Sequence, residues 1–190
     1  MGLGDWFSRV FGKDRPAKVR LSTPTHRDEV MMRRALDLAR FAAQDGEVPV
    51  GAVVFETKTG DLLGEGWNTR EAEDDPSAHA EHKAIVEASK AIGDWRLNEC
   101  TVVVTLEPCP MCAGLIINAR VGRVVYGALD PKAGAVQSVY QMLSDRRLNH
   151  QPEIVAGVFG EEAGRMLSDF FRSRRDAKKT QKRAQNGGDA

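Results

Sequence analysis

Cysteine is scarce, three residues in 190, and two of the three fall in one short motif. That is too few for the disulfide framework of a small secreted fold and points to a reducing compartment. No apolar run approaches the ~20 residues that a membrane helix needs. A secretory signal is absent, and the myristoylation pattern fails because position 6 is Trp6 rather than Ser or Thr. Net charge is absent as well: 27 basic residues balance 27 acidic ones, so no global field draws the chain to nucleic acid. There is no internal repeat. What remains is the expectation of a cytoplasmic protein with one domain and a real core. The charge is unevenly spread, however. From Arg172 to Arg183 the chain holds seven Lys or Arg and a single Asp.

Against this background two short pieces stand out, His79-Ala80-Glu81 and Pro108-Cys109-Pro110-Met111-Cys112. One His and two Cys supply three ligands to a zinc ion and leave the fourth tetrahedral position to water, as in catalytic zinc sites. Glu81 is placed to carry that water's proton. Cys109 and Cys112 are three apart and share a helix face. Pro108 and Pro110 suit a first helical turn, where a missing N–H costs nothing. The positive end of the helix then favours thiolate over thiol. His79 and Glu81, two apart, share a site only if their helix meets the metal end-on. Asp74-Asp75-Pro76-Ser77 reads as the start of that helix. A closed structural zinc is the alternative, with Cys100 or His82 as fourth ligand, but it gives Glu81 no task.

The rest of the chain reads as alternating helices and strands. Residues 1–25 form an N-terminal extension: an amphipathic stretch over 1–12 (Leu3, Trp6, Phe7, Val10, Phe11) and a polar linker. The stretch could dock on its own domain, on a partner or on a membrane surface, and its partner is unknown. His26 to Gln44 is a helix ended by Asp45-Gly46. Val48 to Glu56 is a strand buried on both faces, and Leu62 to Asn68 returns antiparallel to it. Position alone reads Asn68 as a turn residue as readily as a ligand contact. A helix follows over Ala78–Ile92, then a strand over Thr101–Leu106, a helix over Pro110–Arg120 and a strand over Arg123–Ala128. A short helix over 139–143, a strand over 153–159 and an amphipathic helix over 160–174 complete the domain. Residues 176–190 are charged and expected to fray. The βαβ order around the motif implies parallel neighbours, with helices on both sheet faces. It also places Glu107 and the Pro-Cys motif at the carboxyl end of a strand, where α/β sites lie.

The pattern His-x-Glu with Pro-Cys-x-x-Cys is that of the zinc nucleobase deaminases. From His26 to Arg175 the chain resembles the bacterial tRNA-specific adenosine deaminases of the cytidine deaminase-like fold. The matching stretches are EVPVGAVV, GWN at 66–68, PSAHAE, TLEPCPMCAG, RVVYGALDPKAG, NH at 149–150 and LSDFFRSRR at 167–175. The resemblance implies a three-layer α/β/α fold with a mixed five-stranded sheet, a homodimer and one Zn2+ per subunit. It also implies hydrolytic deamination of adenosine to inosine at the first anticodon position, with the tRNA anticodon arm as partner. His79, Cys109 and Cys112 would bind the zinc, and Glu81 would shuttle protons to and from its hydroxide. Asn68 would contact the nucleoside, with Val50, Leu106 and Glu107 lining the pocket. Asp130 would touch the anticodon-loop backbone, and Asn149, Phe171, Arg172 and Arg174 would hold flanking nucleotides. Val136-Gln137 departs from the small residues usual in that loop. Two other functions remain open: a deaminase of free guanine or cytidine, which needs the same motif, and a zinc protein that binds nucleic acid without chemistry.

Overall fold

The computed structural model describes residues 19–186. The amphipathic reading of 1–12 and the first part of the linker lie outside that range. The described elements are α1 (His26–Gln44), β1 (Gly51–Glu56), β2 (Leu62–Trp67), α2 (Ala80–Ile92), β3 (Cys100–Leu106), α3 (Pro110–Asn118), β4 (Arg123–Ala128), a 3-10 turn (Met142–Ser144), β5 (Glu153–Ala156) and α4 (Gly160–Asn186). The strands form one sheet in the order β2-β1-β3-β4-β5. β1 is antiparallel to both β2 and β3, whereas β3, β4 and β5 run parallel. This is the mixed five-stranded sheet that the sequence leads one to expect.

The apolar strands are buried on both faces because alternate side chains point to opposite sides. Ala52, Val54, Val102, Val104, Val124 and Tyr126 pack with α2 and α3. Val53, Phe55, Val103, Val125 and Val155 pack with α1 and the start of α4. Three layers result. α2 lies close on β2: a Cβ at Gly66 would meet the Ala80 carbonyl oxygen at 2.4 Å. That close approach sets the position of the first turn of α2, and hence of His79 and Glu81.

Several boundaries move for local reasons. Pro49 cannot donate to a ladder, and β1 begins at Gly51 rather than Val48. β5 stops at Ala156 because Gly157 turns with φ +83°. The short helix expected over 139–143 is a single 3-10 turn. The end of the linker is not free: Leu21 bridges Ile154 in parallel, and the Ser22 N–H donates to the Ile154 carbonyl at 2.7 Å. That covers the outer edge of β5, where an open edge would invite association. The frayed tail expected from residue 175 is instead helix to Asn186. Its Lys, Arg, Gln and Ala residues are strong helix formers, so α4 propagates through residues 172–181 although they are exposed.

Candidate metal centre and adjoining pocket

Two helix N-termini converge at the carboxyl end of β3. His79 is the N-cap residue of α2, in extended backbone, and Glu81 sits in the first turn. Cys109 is the N-cap of α3, Pro110 follows at the first helical position, and Cys112 is in the same turn. The end-on approach required by the His-x-Glu spacing is therefore met. The Asp74–Ser77 run does not cap α2 itself. Asp75 Oδ1 accepts from the Ser77 N–H at 2.7 Å and from its hydroxyl at 2.8 Å, making a side-chain turn two residues ahead of the cap.

His79 Nδ1 lies 3.7 Å from Cys109 Sγ and 3.6 Å from Cys112 Sγ. A tetrahedral zinc with bonds of about 2.3 Å to sulfur and about 2.0 Å to nitrogen places such donors roughly 3.6 Å apart. The donor set and its spacing thus fit zinc. Among the described residues the cluster comprises these three only, with neither Cys100 nor His82 within reach. Three protein ligands leave a fourth position for another group.

The cluster's protons are unevenly held. Cys109 is pulled down to about 4, chiefly by a hydrogen bond from Cys112, against burial and with help from His79. Cys112 is pushed up by the same bond and by burial. His79 is raised by its bond to Cys109. Burial pushes Glu81 up to about 7; a bound dication acts in the opposite sense. With the metal stripped away, Cys112 holds its proton and His79 is biased toward its charged form, and the ion must displace what they hold. Apparent zinc affinity should therefore rise between pH 5.5 and 8, by about one decade per pH unit for the Cys112 proton alone. Chelator competition across that range measures it, and a flat profile would contradict the proton inventory.

Beside the cluster is a pocket of about 170 Å³, walled by Val48, Val50, Asn68, Leu106, Glu107 and Asp130 and floored by His79, Glu81 and Cys109. It is smaller than the ~300–1,000 Å³ of ordinary small-molecule clefts. Its volume is on the scale of a single heterocycle. The structure thus brings eight of the expected site residues to one pocket, with Cys112 behind them. Four stand apart from its lining. Asn149 accepts from Arg120 at 2.5 Å. Phe171 is exposed and packs edge-on to Phe170. Arg172 pairs with Asp169 on its own helix. Arg174 reaches the Gly46 carbonyl at 3.4 Å, which brings α4 to the loop leading into Val48.

Two carboxylates have work that the sequence did not disclose. Glu107 turns its side chain into the following loop, where it accepts from the backbone N–H groups of Val136, Gln137 and Ser138 at 2.7 to 3.0 Å. It also accepts from the Asp130 N–H and the Ser138 hydroxyl. These bonds hold its pKa below the usual range despite burial. Val136 is buried in the core, so the departure there faces inward. Glu47, buried on the other side of the pocket, accepts from Asn68 Nδ2 at 2.9 Å and from the Ala72 N–H at 2.7 Å. Arg70 also lines the pocket. Nothing in local spacing marks Glu47, because its partner is 21 residues away.

A three-layer sheet carrying three zinc donors, an open fourth position and a buried carboxylate defines a zinc-dependent deaminase of the cytidine type. The chain matches the family model for the cytidine and deoxycytidylate deaminase zinc-binding region over residues 25–128. It is 49% identical over 152 residues to the tRNA-specific adenosine deaminase of Bacillus subtilis (strain 168), covering 80% of this chain and 93% of that one. The chain belongs to the tRNA-specific adenosine deaminase family. A solved tRNA:A34 deaminase, described as editing A to I at the wobble position, superposes with TM-score 0.69 at 39% identity, over 73% of this chain and 99% of that one. Guanine deaminase from Nitrosomonas europaea superposes with TM-score 0.66 over 89% of this chain and 93% of that one. At 22% identity it shares the fold alone.

Proposed function

We propose that this chain hydrolyses adenosine to inosine and ammonia at the first anticodon position of tRNA, with His79, Cys109 and Cys112 holding one zinc per subunit. The observation that carries the reading is Glu81. It is a buried carboxylate in the first turn of α2, beside an open three-donor cluster, in a pocket that admits one base. When bound, the zinc supplies a Lewis acid that brings the pKa of water to about 7. Glu81 takes up the proton released there. It passes that proton to the ring nitrogen as the water oxygen bonds to adenine C6, then takes the remaining hydroxyl proton from the adduct and passes it to the amine, so that the C6–N bond breaks, ammonia leaves and inosine remains. Its burial favours the protonated form and the metal beside it the charged one, opposing pulls that suit a group which must both take up and give back a proton.

Val50 and Leu106 exclude water from the base, and Asn68 contacts the nucleoside. The Glu107 carboxylate is consumed by its loop, which leaves its main chain to face the base. Asp130 lies on that loop, at the pocket edge, and meets the anticodon-loop backbone. Splaying one base out of a single-stranded loop is cheap, and the flanking nucleotides need holding outside. Asn149, Phe171, Arg172 and Arg174 do that, supported by the position of Arg174 beside Gly46. The deaminase domain spans 26–175. The protein works in the cytoplasm as a homodimer, and no described helix is long and apolar enough to cross a membrane. Exposed Trp95, with Ile85, Val86 and Leu115 lining an apolar groove between α2 and α3, offers a face for the second copy.

Incubation of the zinc-loaded protein with an anticodon stem-loop RNA, free adenosine, guanine and cytidine tests the reading. Inosine should form in the RNA while the free compounds stay unchanged. Turnover of guanine or cytidine with the RNA untouched would replace this reading with a free-base deaminase.

A further inference from the structure

We infer that Glu47 is a positioning residue that locks the side-chain amide of Asn68, so that the pocket offers the nucleoside a carbonyl acceptor. This rests on the reading of the pocket as the nucleoside site. A carboxylate only accepts hydrogen bonds. Asn68 must therefore turn its NH2 toward Glu47 Oε2, at 2.9 Å, and its Oδ1 away. The other oxygen of Glu47 is committed to the Ala72 N–H at 2.7 Å. Glu47 is 1% exposed and Asn68 7%, so water does not compete for these bonds. Asn68 is fixed further by its own N–H, which donates to the Val50 carbonyl at 3.0 Å. The mechanism gives Glu47 no proton to move, yet burying a carboxylate is costly unless its bonds serve something.

The geometry makes an unusually specific substitution available. In Glu47→Gln the new side chain has one acceptor, and the Ala72 N–H, a backbone donor, claims it. Its NH2 then faces Asn68, whose amide must reverse to accept. The pocket gains a donor where it had an acceptor. Adding Asn68→Asp to Glu47→Gln restores the arrangement: one carboxylate oxygen accepts from the new amide and the other faces the pocket. The double variant keeps every hydrogen bond of this group, so it folds even if the single one is weakened.

Deamination of the anticodon stem-loop RNA is measured for wild type, Glu47→Gln and the double variant, with zinc content and melting temperature alongside. Glu47→Gln should lose roughly 10- to 100-fold in kcat/KM, mostly through KM, because Glu81 and the zinc donors are untouched. The double variant should recover at least a third of that loss on a logarithmic scale. An unchanged KM in Glu47→Gln, or a double variant no better than the single one, overturns the inference. A readout independent of activity separates it from the functional reading. In wild type the Asn68 side-chain amide is held by a buried carboxylate, and in Glu47→Gln it faces the pocket, so its hydrogens should exchange at least about tenfold faster by NMR. Equal exchange in the two proteins also overturns it, whatever the substrate proves to be.

Discussion

Glu81→Gln should keep its zinc and its fold and lose roughly 10²- to 10⁴-fold in kcat, the range that a positioned proton carrier contributes. The side chain is buried in the first turn of α2 and is not one of the three donors, so metal content should stay at one per chain. The amide is isosteric and uncharged, and burial already disfavours the charged form of Glu81. Stability should therefore hold or rise slightly. KM should move by no more than a few fold, because the walls of the pocket, Val50, Asn68 and Leu106, are unaltered. The informative comparison is with Cys112→Ala, which removes a ligand and should lose metal and activity together. If Glu81→Gln retained kcat within tenfold of wild type, the case for general acid–base chemistry would fail. A zinc protein that binds RNA without reacting would then be the better description.

How much of this was legible beforehand follows from where each partner lies in the chain. The zinc donors were legible because metal chemistry restricts both residue type and spacing. His79 and Glu81 are two apart, Cys109 and Cys112 three apart, and each pair sits within one helical turn. The sheet was legible because β1, β3 and β4 each hold two or three consecutive Val residues within a short apolar run. The wider pocket was named through resemblance, not periodicity. Glu47 and the side chain of Glu107 were illegible because their partners, backbone N–H groups and the side chains of Asn68 and Ser138, lie 21 or more residues away with no fixed spacing to mark them. The tail misled for a different reason. High charge reads as solvation, yet Lys, Arg, Gln and Ala are also what a helix prefers, and α4 follows that preference to Asn186.

At the opposite end of the sheet, Arg123→Met should destabilise the fold by about 3–5 kcal/mol, the cost of leaving one charge of a buried pair unpartnered. Arg123 opens β4 and Asp28 lies in the first turn of α1, 95 residues apart and almost fully buried. Two guanidinium nitrogens grip the two carboxylate oxygens, one at 2.9 Å and the other closer still. The same carboxylate accepts from the Thr25 N–H at 2.6 Å and completes the capping box of α1. One side chain thus ends a helix and fastens it to the sheet. Burial alone would raise the Asp28 pKa, but the bonds from Arg123 and Thr25 outweigh it and bring it below the usual value. The sign follows from that depression. The pair's contribution is complete above the unfolded Asp pKa of about 3.9 and is lost as pH falls through the lower folded value. Wild type should therefore lose stability in that acid window, and Arg123→Met should show a shallower loss there. Adding Asp28→Ala to Arg123→Met removes the stranded charge. The double variant should unfold less readily than Arg123→Met, although it forfeits the cap, worth about 1 kcal/mol. Urea titrations of these three proteins and of Asp28→Ala alone, at pH 7 and pH 3, measure both effects and close the cycle. Strictly additive losses would mean that the contact is not an energetic pair. Because Arg123 faces Thr101 at the start of β3 while the site lies beyond Leu106 at its end, zinc content below the melting transition should be unaffected.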